Sequence, residues 1–226
     1  MEIKYLGHSC FLLNIDGARV LFDPFISYNS LASQINKEEI EVDFILLSHG
    51  HQDHTADAEY FAKKNNATVV AIFEICEWYK AKEIENVVTM NIGGKVKLPF
   101  GTVKMVTAIH SSVLPDGTYG GNPAGFVVET KEKTFYFAGD TALTYDMKII
   151  AEQYRIDFAF LPIGGQLTMN IDDALITANW VGTNQVIGMH YDTFPAIQID
   201  HQAALDSAQK AGKNLILIPI GETINI

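Results

Sequence analysis

Three of the seven histidines of this chain lie within six residues, in the run HGHQDH at positions 49–54. The run directly follows FILLS (44–48), an uncharged and mostly apolar stretch that is typical of a buried β-strand. Neutral imidazoles and a carboxylate are the donors that a divalent cation such as zinc prefers. The motif therefore predicts a metal site at the end of a strand, which restricts the chain to folds with a rigid sheet edge.

The spacing within the motif predicts how its side chains are arranged. Alternate residues of an extended chain share a face, so His49, His51 and Asp53 are expected on one side. His54 is expected to turn in where the next helix begins. The alternative is a solvated polar loop, with Asp53 as a favourable charge near a helix N-terminus. The density of histidines favours metal binding, by one ion or by two.

Three further predicted strands are each followed, within two residues, by another candidate ligand. A lone loop histidine usually forms only a structural hydrogen bond, and aspartate after glycine is typical of a turn. Together with the motif, however, the three complete a set of ligands for two metals at one sheet edge. The strands and their ligands are 102–108 with His110, 134–138 with Asp140 and 185–189 with His190.

Short β-rich runs alternate with amphipathic segments along the whole chain, and no linker divides it. The pattern predicts an α/β protein in which two sheets pack together with helices outside them, in four layers, as one domain over residues 1–226. The predicted helices are 30–41, 55–64, 74–83, 144–154, 172–180 and 201–211. The other predicted strands are 2–6, 11–22 (folded at Asp16-Gly17), 68–72, 88–90, 95–98, 125–130, 157–161 and 215–219.

Charge and cysteine content limit the partners. The chain carries 27 acidic and 16 basic residues, a net charge of −11, and no stretch concentrates the basic ones. This balance disfavours long nucleic acids and anionic membranes as partners. Cys10 and Cys76 both lie beside apolar residues, and the N-terminus lacks the pattern of a signal peptide, so we predict a cytoplasmic protein. The sequence leaves homo-oligomerisation open.

The chain resembles the metallo-β-lactamase superfamily, within it a branch of uncharacterised metal-dependent hydrolases related to L-ascorbate-6-phosphate lactonase. The resemblance runs nearly end to end and implies a four-layer αββα sandwich, the metallo-β-lactamase fold. The segments that carry it are GHSC (7–10), DPF (23–25), SHGHQDH (48–54), His110, GGNPAGF (120–126), AGDT (138–141), PIGGQLTM (162–169) and MHYDTFP (189–195).

The resemblance also implies a dinuclear metal site, with zinc, manganese, iron or nickel as candidate ions. It implies hydrolysis of a small molecule by a metal-bound hydroxide, and we expect a small anionic ester, lactone or phosphoester. The catalytic candidates are Asp53, as a base if one metal is bound, and Asp140. The implied ligands are His49, His51 and His110 on one metal, Asp53, His54 and His190 on the other, and Asp140 between them.

Two alternative functions stay open at this point. Dinuclear sites also cleave phosphodiesters, so a phosphodiesterase or nuclease acting on short or cyclic nucleotides is one alternative. A metal-binding module without catalysis is the other.

The resemblance places His8, after the first strand, and Asp23, before Pro24, near the metal pocket, so both are predicted to contact the ligands or the substrate; ordinary turn and cap chemistry is the alternative. Thr168, in the loop 163–170, is predicted to line the substrate pocket. The Gly- and Pro-rich loop 111–125 is interpreted as a lid over the substrate, and plain turns are the alternative.

Overall fold

The first sheet is built mainly from the N-terminal half of the chain. In the computed structural model, which describes residues 1–226, its strands run in the order β14-β1-β2-β3-β4-β5-β6. Strands β1 to β3 are antiparallel neighbours, and β3 to β6 are parallel. The strands are β1 (Glu2–Gly7), β2 (Cys10–Ile15), β3 (Ala18–Phe22), β4 (Phe44–Leu46), β5 (Thr68–Ile72), β6 (Val87–Met90) and β14 (Thr223–Asn225).

The second sheet also has seven strands, in the order β13-β12-β11-β10-β9-β8-β7. Strands β7 to β10 are antiparallel neighbours, and β10 to β13 are parallel. The strands are β7 (Lys95–Leu98), β8 (Gly101–Thr107), β9 (Ala124–Glu129), β10 (Thr134–Phe137), β11 (Phe158–Pro162), β12 (Gln185–Met189) and β13 (Asn214–Ile216).

Four of the six helices cover the outer faces. Helices α2 and α3 pack on the first sheet, and α5 and α6 pack on the second, so the predicted four-layer αββα sandwich is confirmed. None of the helices has both the length and the apolar character that crossing a bilayer requires. The helices are α1 (Gln52–Thr55), α2 (Ala58–Asn65), α3 (Phe73–Lys80), α4 (Met147–Gln153), α5 (Ile171–Trp180) and α6 (His201–Lys210).

Phenylalanines from both inner faces hold the sheets together. The rings of Phe22 and Phe137 lie 4.7 Å apart, and those of Phe11 and Phe160 lie 4.7 Å apart, all fully buried. Burying one such side chain stabilises the fold by roughly 1.5–3 kcal/mol. This packing fixes the position of one sheet edge relative to the other, and the candidate ligands follow strands that end at this edge.

The predicted helix over 30–41 is wrong. The segment forms two short 3-10 turns, Ser30–Ala32 and Lys37–Glu39. Asn29 and Asn36 precede them, and each side-chain oxygen accepts from the backbone N–H two residues on. Such local bonds compete with helical hydrogen bonding. The segment also lacks a continuous apolar face, since its middle residues are exposed.

The predicted helix over 55–64 begins earlier and is broken. It starts at Gln52, ends at Thr55 and resumes at Ala58. Asp57 causes the break: its carboxylate accepts from the N–H groups of Ile26 and Ser27, at 2.7 and 2.9 Å. The pattern also missed β14, which pairs with β1 through contacts distant in sequence.

Candidate metal centre

Six of the seven histidines converge at one edge of the sandwich, and only His201 lies outside the cluster. Every side chain of the cluster follows a strand that points to the same edge. Within each sheet, these strands run in the same direction. Some are joined through parallel neighbours, and others are separated by a single strand that is antiparallel to both. The placements are His8 after β1, Asp23 after β3, the HGHQDH motif after β4, His110 after β8, Asp140 after β10 and His190 after β12.

The first cluster contains His49, His51 and His110. His49 Nε2 and His51 Nδ1 lie 3.0 Å apart. Two nitrogens bound tetrahedrally at about 2.0–2.1 Å from one zinc ion are separated by roughly 3.3 Å. His49 and His51 therefore present their nitrogens close to the spacing that a common cation requires, and a ring nitrogen of His110 lies within 4.8 Å of both.

The second cluster contains Asp53, His54 and His190, together with His8. Asp53 Oδ2 lies 3.9 Å from the Nε2 atoms of both His54 and His190. It lies closer, at 3.1 Å, to His8 Nε2. The implied ligands of the second metal are thus brought together, and His8 joins them.

Asp140 lies between the two clusters. Its Oδ2 atom is 3.9 Å from His49 Nε2 and 3.5 Å from His110 Nε2 on one side. On the other side it is 3.3 Å from His54 Nε2 and 2.9 Å from His190 Nε2. The carboxylate is 2 % exposed. One carboxylate oxygen therefore faces both groups of imidazoles.

The carboxylates of the site favour a positive charge beside them, as the pKa values of His54 and Asp140 show. Burial lowers the pKa of His54, but the charges of Asp140 and Asp53 outweigh it, so the pKa lies well above its usual value. Burial raises the pKa of Asp140, but His190 and His54 outweigh it, so the pKa lies well below its usual value. The carboxylates thus draw a positive charge onto His54, in the place where a divalent cation would supply one.

In the first cluster, burial has the largest effect on the pKa values of the histidines. Burial lowers the pKa of His49 well below its usual value, and it also lowers the pKa values of His51 and His110. These imidazoles are therefore neutral near pH 7. A neutral imidazole is the form that binds a metal.

Three buried atoms of the ligand side chains have no hydrogen-bond partner. They are His54 Nε2, Asp140 Oδ1 and His190 Nδ1. Leaving such groups unpaired costs about 1–3 kcal/mol each, and natural sites rarely retain that cost without a purpose. The nitrogen and oxygen donors of the two clusters therefore fit divalent metal ions.

Asp23 orients the His54 ring through a hydrogen bond at Nδ1, the ring nitrogen that does not face the site. Its Oδ2 atom is 2.8 Å from His54 Nδ1 and accepts from Ser48 Oγ at 2.6 Å, while Oδ1 accepts from the Ser48 N–H at 2.8 Å. Both Asp23 and His54 are fully buried. The bond at Nδ1 turns Nε2 of His54 towards the site, the arrangement that commonly orients metal-binding histidines. Ser48 was not singled out from the sequence.

His8 positions Asp53. Its Nε2 atom is 3.1 Å from Asp53 Oδ2, and its Nδ1 atom is 2.9 Å from Thr193 Oγ1. Both ring nitrogens are therefore engaged, unlike Nε2 of His54. Thr193 lies in the matched segment MHYDTFP but was not singled out from the sequence, since it approaches His8 only where the two sheets meet at this edge.

The backbone is strained at several positions of the site. His8, Asp23 and His190 have φ angles of 58°, 40° and 55°. Residues with a Cβ atom rarely adopt this left-handed conformation, and such strain concentrates at functional sites. In each of the three the strain turns the chain directly after a strand.

The position of Asp53 corrects the predicted extended motif. His51 is the last extended residue, with φ −62° and ψ 147°, and α1 begins at Gln52. Asp53 and His54 are therefore neighbours in the first turn of a helix. They reach the site because that turn projects both side chains towards the same edge.

The two predicted substrate loops differ in their contacts. Loop 111–125 packs on the motif, since the Gly50 N–H donates to Ser112 Oγ at 3.0 Å. Ser111 Oγ lies 3.3 Å from His51 Nε2. The Thr168 hydroxyl, in the loop 163–170, donates to the Met169 carbonyl at 3.4 Å, so its role at the substrate stays a prediction.

Comparison with known proteins agrees with this architecture. A family model described as a beta-lactamase superfamily domain matches residues 2–190, a segment that contains all the candidate ligands. A UPF0173 metal-dependent hydrolase of Flavobacterium johnsoniae is 45% identical over 226 residues, covering 100% of both chains. The UPF0173 metal-dependent hydrolase YtkL of Bacillus subtilis is 43% identical over 232 residues, again covering 100% of both.

A solved structure is similar over the same length. Igni18, described as a novel metallo hydrolase from the archaeon Ignicoccus hospitalis, superposes with a TM-score of 0.90 and 32% sequence identity. The alignment covers 99% of this chain and 97% of that one. The relatives therefore match the chain from end to end.

Proposed function

The chain belongs to the beta-lactamase superfamily and is a metal-dependent hydrolase, and we propose that it hydrolyses a small ester, lactone or phosphoester at a site of two divalent metal ions. The observation that carries the proposal is the position of Asp140. Its Oδ2 atom lies within 3.9 Å of an Nε2 atom in each of four histidines, two from each cluster. A carboxylate in that position suits two cations on either side of it better than one.

In the proposed reaction, the metal ions would activate the water and the side chains would hold the metal ions. Two divalent cations held there would lower the pKa of a bound water and polarise the scissile oxygen. His49, His51 and His110 would hold one cation, and His54, His190 and Asp53 the other. The donors are nitrogen and oxygen atoms, which suit zinc, manganese, iron or nickel.

Asp53 is the carboxylate that best reaches the attacking water. Its side chain is 25% exposed, whereas that of Asp140 is buried. Burial raises its pKa, but the charge of His54 and the bond from His8 outweigh this and hold the pKa below its usual range. Asp53 therefore stays ionised near pH 7 and orients the water by accepting a hydrogen bond from it.

We propose that the protein acts in the cytoplasm. Support comes from Cys10 and Cys76, which are both buried free thiols. Burial raises the pKa of each, so both stay protonated near neutral pH. Unreactive buried thiols suit a reducing compartment.

Metal reconstitution tests the proposed hydrolase. The protein is stripped with a chelator, reloaded with zinc, manganese, iron or nickel, and assayed on p-nitrophenyl esters, lactones and bis-p-nitrophenyl phosphate. We expect two ions per chain and turnover only after reloading. His110→Ala should lose most activity and part of the metal, whereas His201→Ala, at the histidine outside the cluster, should lose neither.

The same panel separates the alternatives. Turnover of the phosphodiester alone would assign the phosphodiesterase function. The hydrolase proposal fails if no compound is turned over with any metal and His110→Ala binds as much metal as the unaltered chain. That result would leave a metal-binding module without catalysis.

A further inference from the structure

The site lies entirely within stretches that lack lysine and arginine. The 16 basic residues are spread over the chain, but none falls in any segment that carries a candidate ligand. Recognition of phosphate or carboxylate groups normally uses such side chains. The basic-free stretches are 5–18, 20–36, 38–62, 105–130, 134–147 and 156–209.

Two lysines that approach the site region in space are already paired. Lys82 shares a cavity of about 350 Å³ with Gln52 and Thr55 on the outer side of α1. Its Nζ atom is 2.8 Å from Glu59 Oε2 and lies 3.8 Å above the Trp78 ring. Lys37, below the loop that follows β3, is 3.1 Å from Asp57 Oδ1. Neither offers a free charge to a substrate.

The loops beside the ligands expose apolar side chains instead. Ile109, next to His110, is 52% exposed, and Leu167 is 50% exposed. Thr141, which follows Asp140, accepts from both loops: Ile109 N–H donates to Thr141 Oγ1 at 3.0 Å, and the N–H of Met169, two residues after Leu167, donates to the Thr141 carbonyl at 3.1 Å. These hydrogen bonds hold the backbone of Ile109 and the loop that carries Leu167 against the residue that follows Asp140.

An anionic substituent has no counter-charge here except the metals themselves. It would compete for the metal positions that the scissile bond must occupy, and Asp53 and Asp140 would repel it elsewhere. Small-molecule sites combine apolar walls with a few polar groups that fix orientation. The exposed pair Ile109 and Leu167 supplies such a wall.

Resting on the proposed function, we infer that the substrate is an uncharged ester or lactone whose apolar acyl group lies against Ile109 and Leu167. This differs from the anionic substrate that the sequence led us to expect. Because bound metal ions would be the only positive charge open to an anionic substituent, the acyl group is selected by its apolar surface.

A matched pair of esters tests this inference. p-Nitrophenyl valerate and mono-p-nitrophenyl glutarate differ only in a carboxylate that replaces the terminal methyl group. We expect kcat/KM to be about tenfold or more higher for the valerate, the discrimination that one apolar group provides in a pocket. Leu167→Lys should reduce this ratio by supplying a cation, and Leu167→Gln, a polar but uncharged control, should reduce it less.

A binding measurement keeps the inference separate from the proposed function. Valerohydroxamic acid and the monohydroxamate of glutaric acid are titrated into metal-loaded protein by calorimetry, which needs no turnover. Tighter binding of the uncharged compound, with the preference weakened in Leu167→Lys, supports the inference even if no ester is hydrolysed. Equal or tighter binding of the carboxylated compound overturns it, whatever the enzyme hydrolyses.

Discussion

Acidification of the metal-free protein should reveal the protonation of His8. Burial, followed by the charge of His190, lowers the pKa of His8 from 6.5 to about 4. Below pH 6.5 the unfolded chain binds a proton at this position that the folded chain does not bind. Stability is therefore lost as the pH falls from about 6.5 towards 4, and at pH 5 the loss attributable to His8 amounts to about 2 kcal/mol.

Unfolding by urea after dialysis against a chelator measures this loss. The free energy of unfolding is compared at pH 7.5 and pH 5.0 for the unaltered protein and for His8→Gln, which keeps a hydrogen-bonding side chain but cannot titrate. The variant should lose about 2 kcal/mol less between the two pH values, equivalent to about 4–8 °C in Tm for a chain of this size.

For each protein, the free energy of unfolding at pH 5.0 is subtracted from that at pH 7.5, and these losses are then compared. Any effect of the substitution at neutral pH therefore cancels. His201→Gln, at the histidine outside the cluster, serves as the control and should lose as much stability as the unaltered protein. Equal losses of stability by His8→Gln and the unaltered protein between pH 7.5 and pH 5.0 would refute this expectation, since burial of a neutral His8 would then have no energetic consequence.

Three further predictions concern metal binding. Asp23→Asn should weaken metal binding by about 10–100-fold in competition with a chelator, because Asp23 orients His54; unchanged affinity would contradict this. Gly50→Ala should lower metal content, since a Cβ there lies 3.2 Å from the backbone of Val113, and full occupancy would refute it. Removal of metal present at about a hundredfold excess over Kd should cost about 2.7 kcal/mol of stability for each ion bound, seen as a lower Tm in calorimetry.

The sequence located the candidate ligands because each follows an apolar strand. His110, Asp140 and His190 come after β8, β10 and β12, and parallel strands bring their ends to one edge. The local conformation of the motif was harder to predict. Asp53 belongs to a helix that begins at Gln52, and four residues are too few to produce a periodic pattern.

The surroundings of the ligands depend on contacts that no local pattern records. His8 and Thr193 are separated by 185 positions and meet only when the two sheets pack together. The break at Asp57 likewise depends on N–H groups of the loop after β3. Hydrogen bonds between residues distant in sequence determine both the His8–Thr193 contact and the break at Asp57. Neither feature could be predicted from composition or periodicity.

The candidate metal site lies on the seam between the two sheets, so metal binding should stabilise the whole fold. Backbone hydrogen bonds cross the seam beside the ligands: His190 N–H donates to the His8 carbonyl at 2.9 Å, and Ala124 N–H donates to the Ser48 carbonyl at 2.9 Å. Each cluster also draws ligands from both sheets, since His110 joins the first and His190 the second. Ions held in this way bind only when the sheets are assembled, and binding to the native state alone raises the free energy of global unfolding.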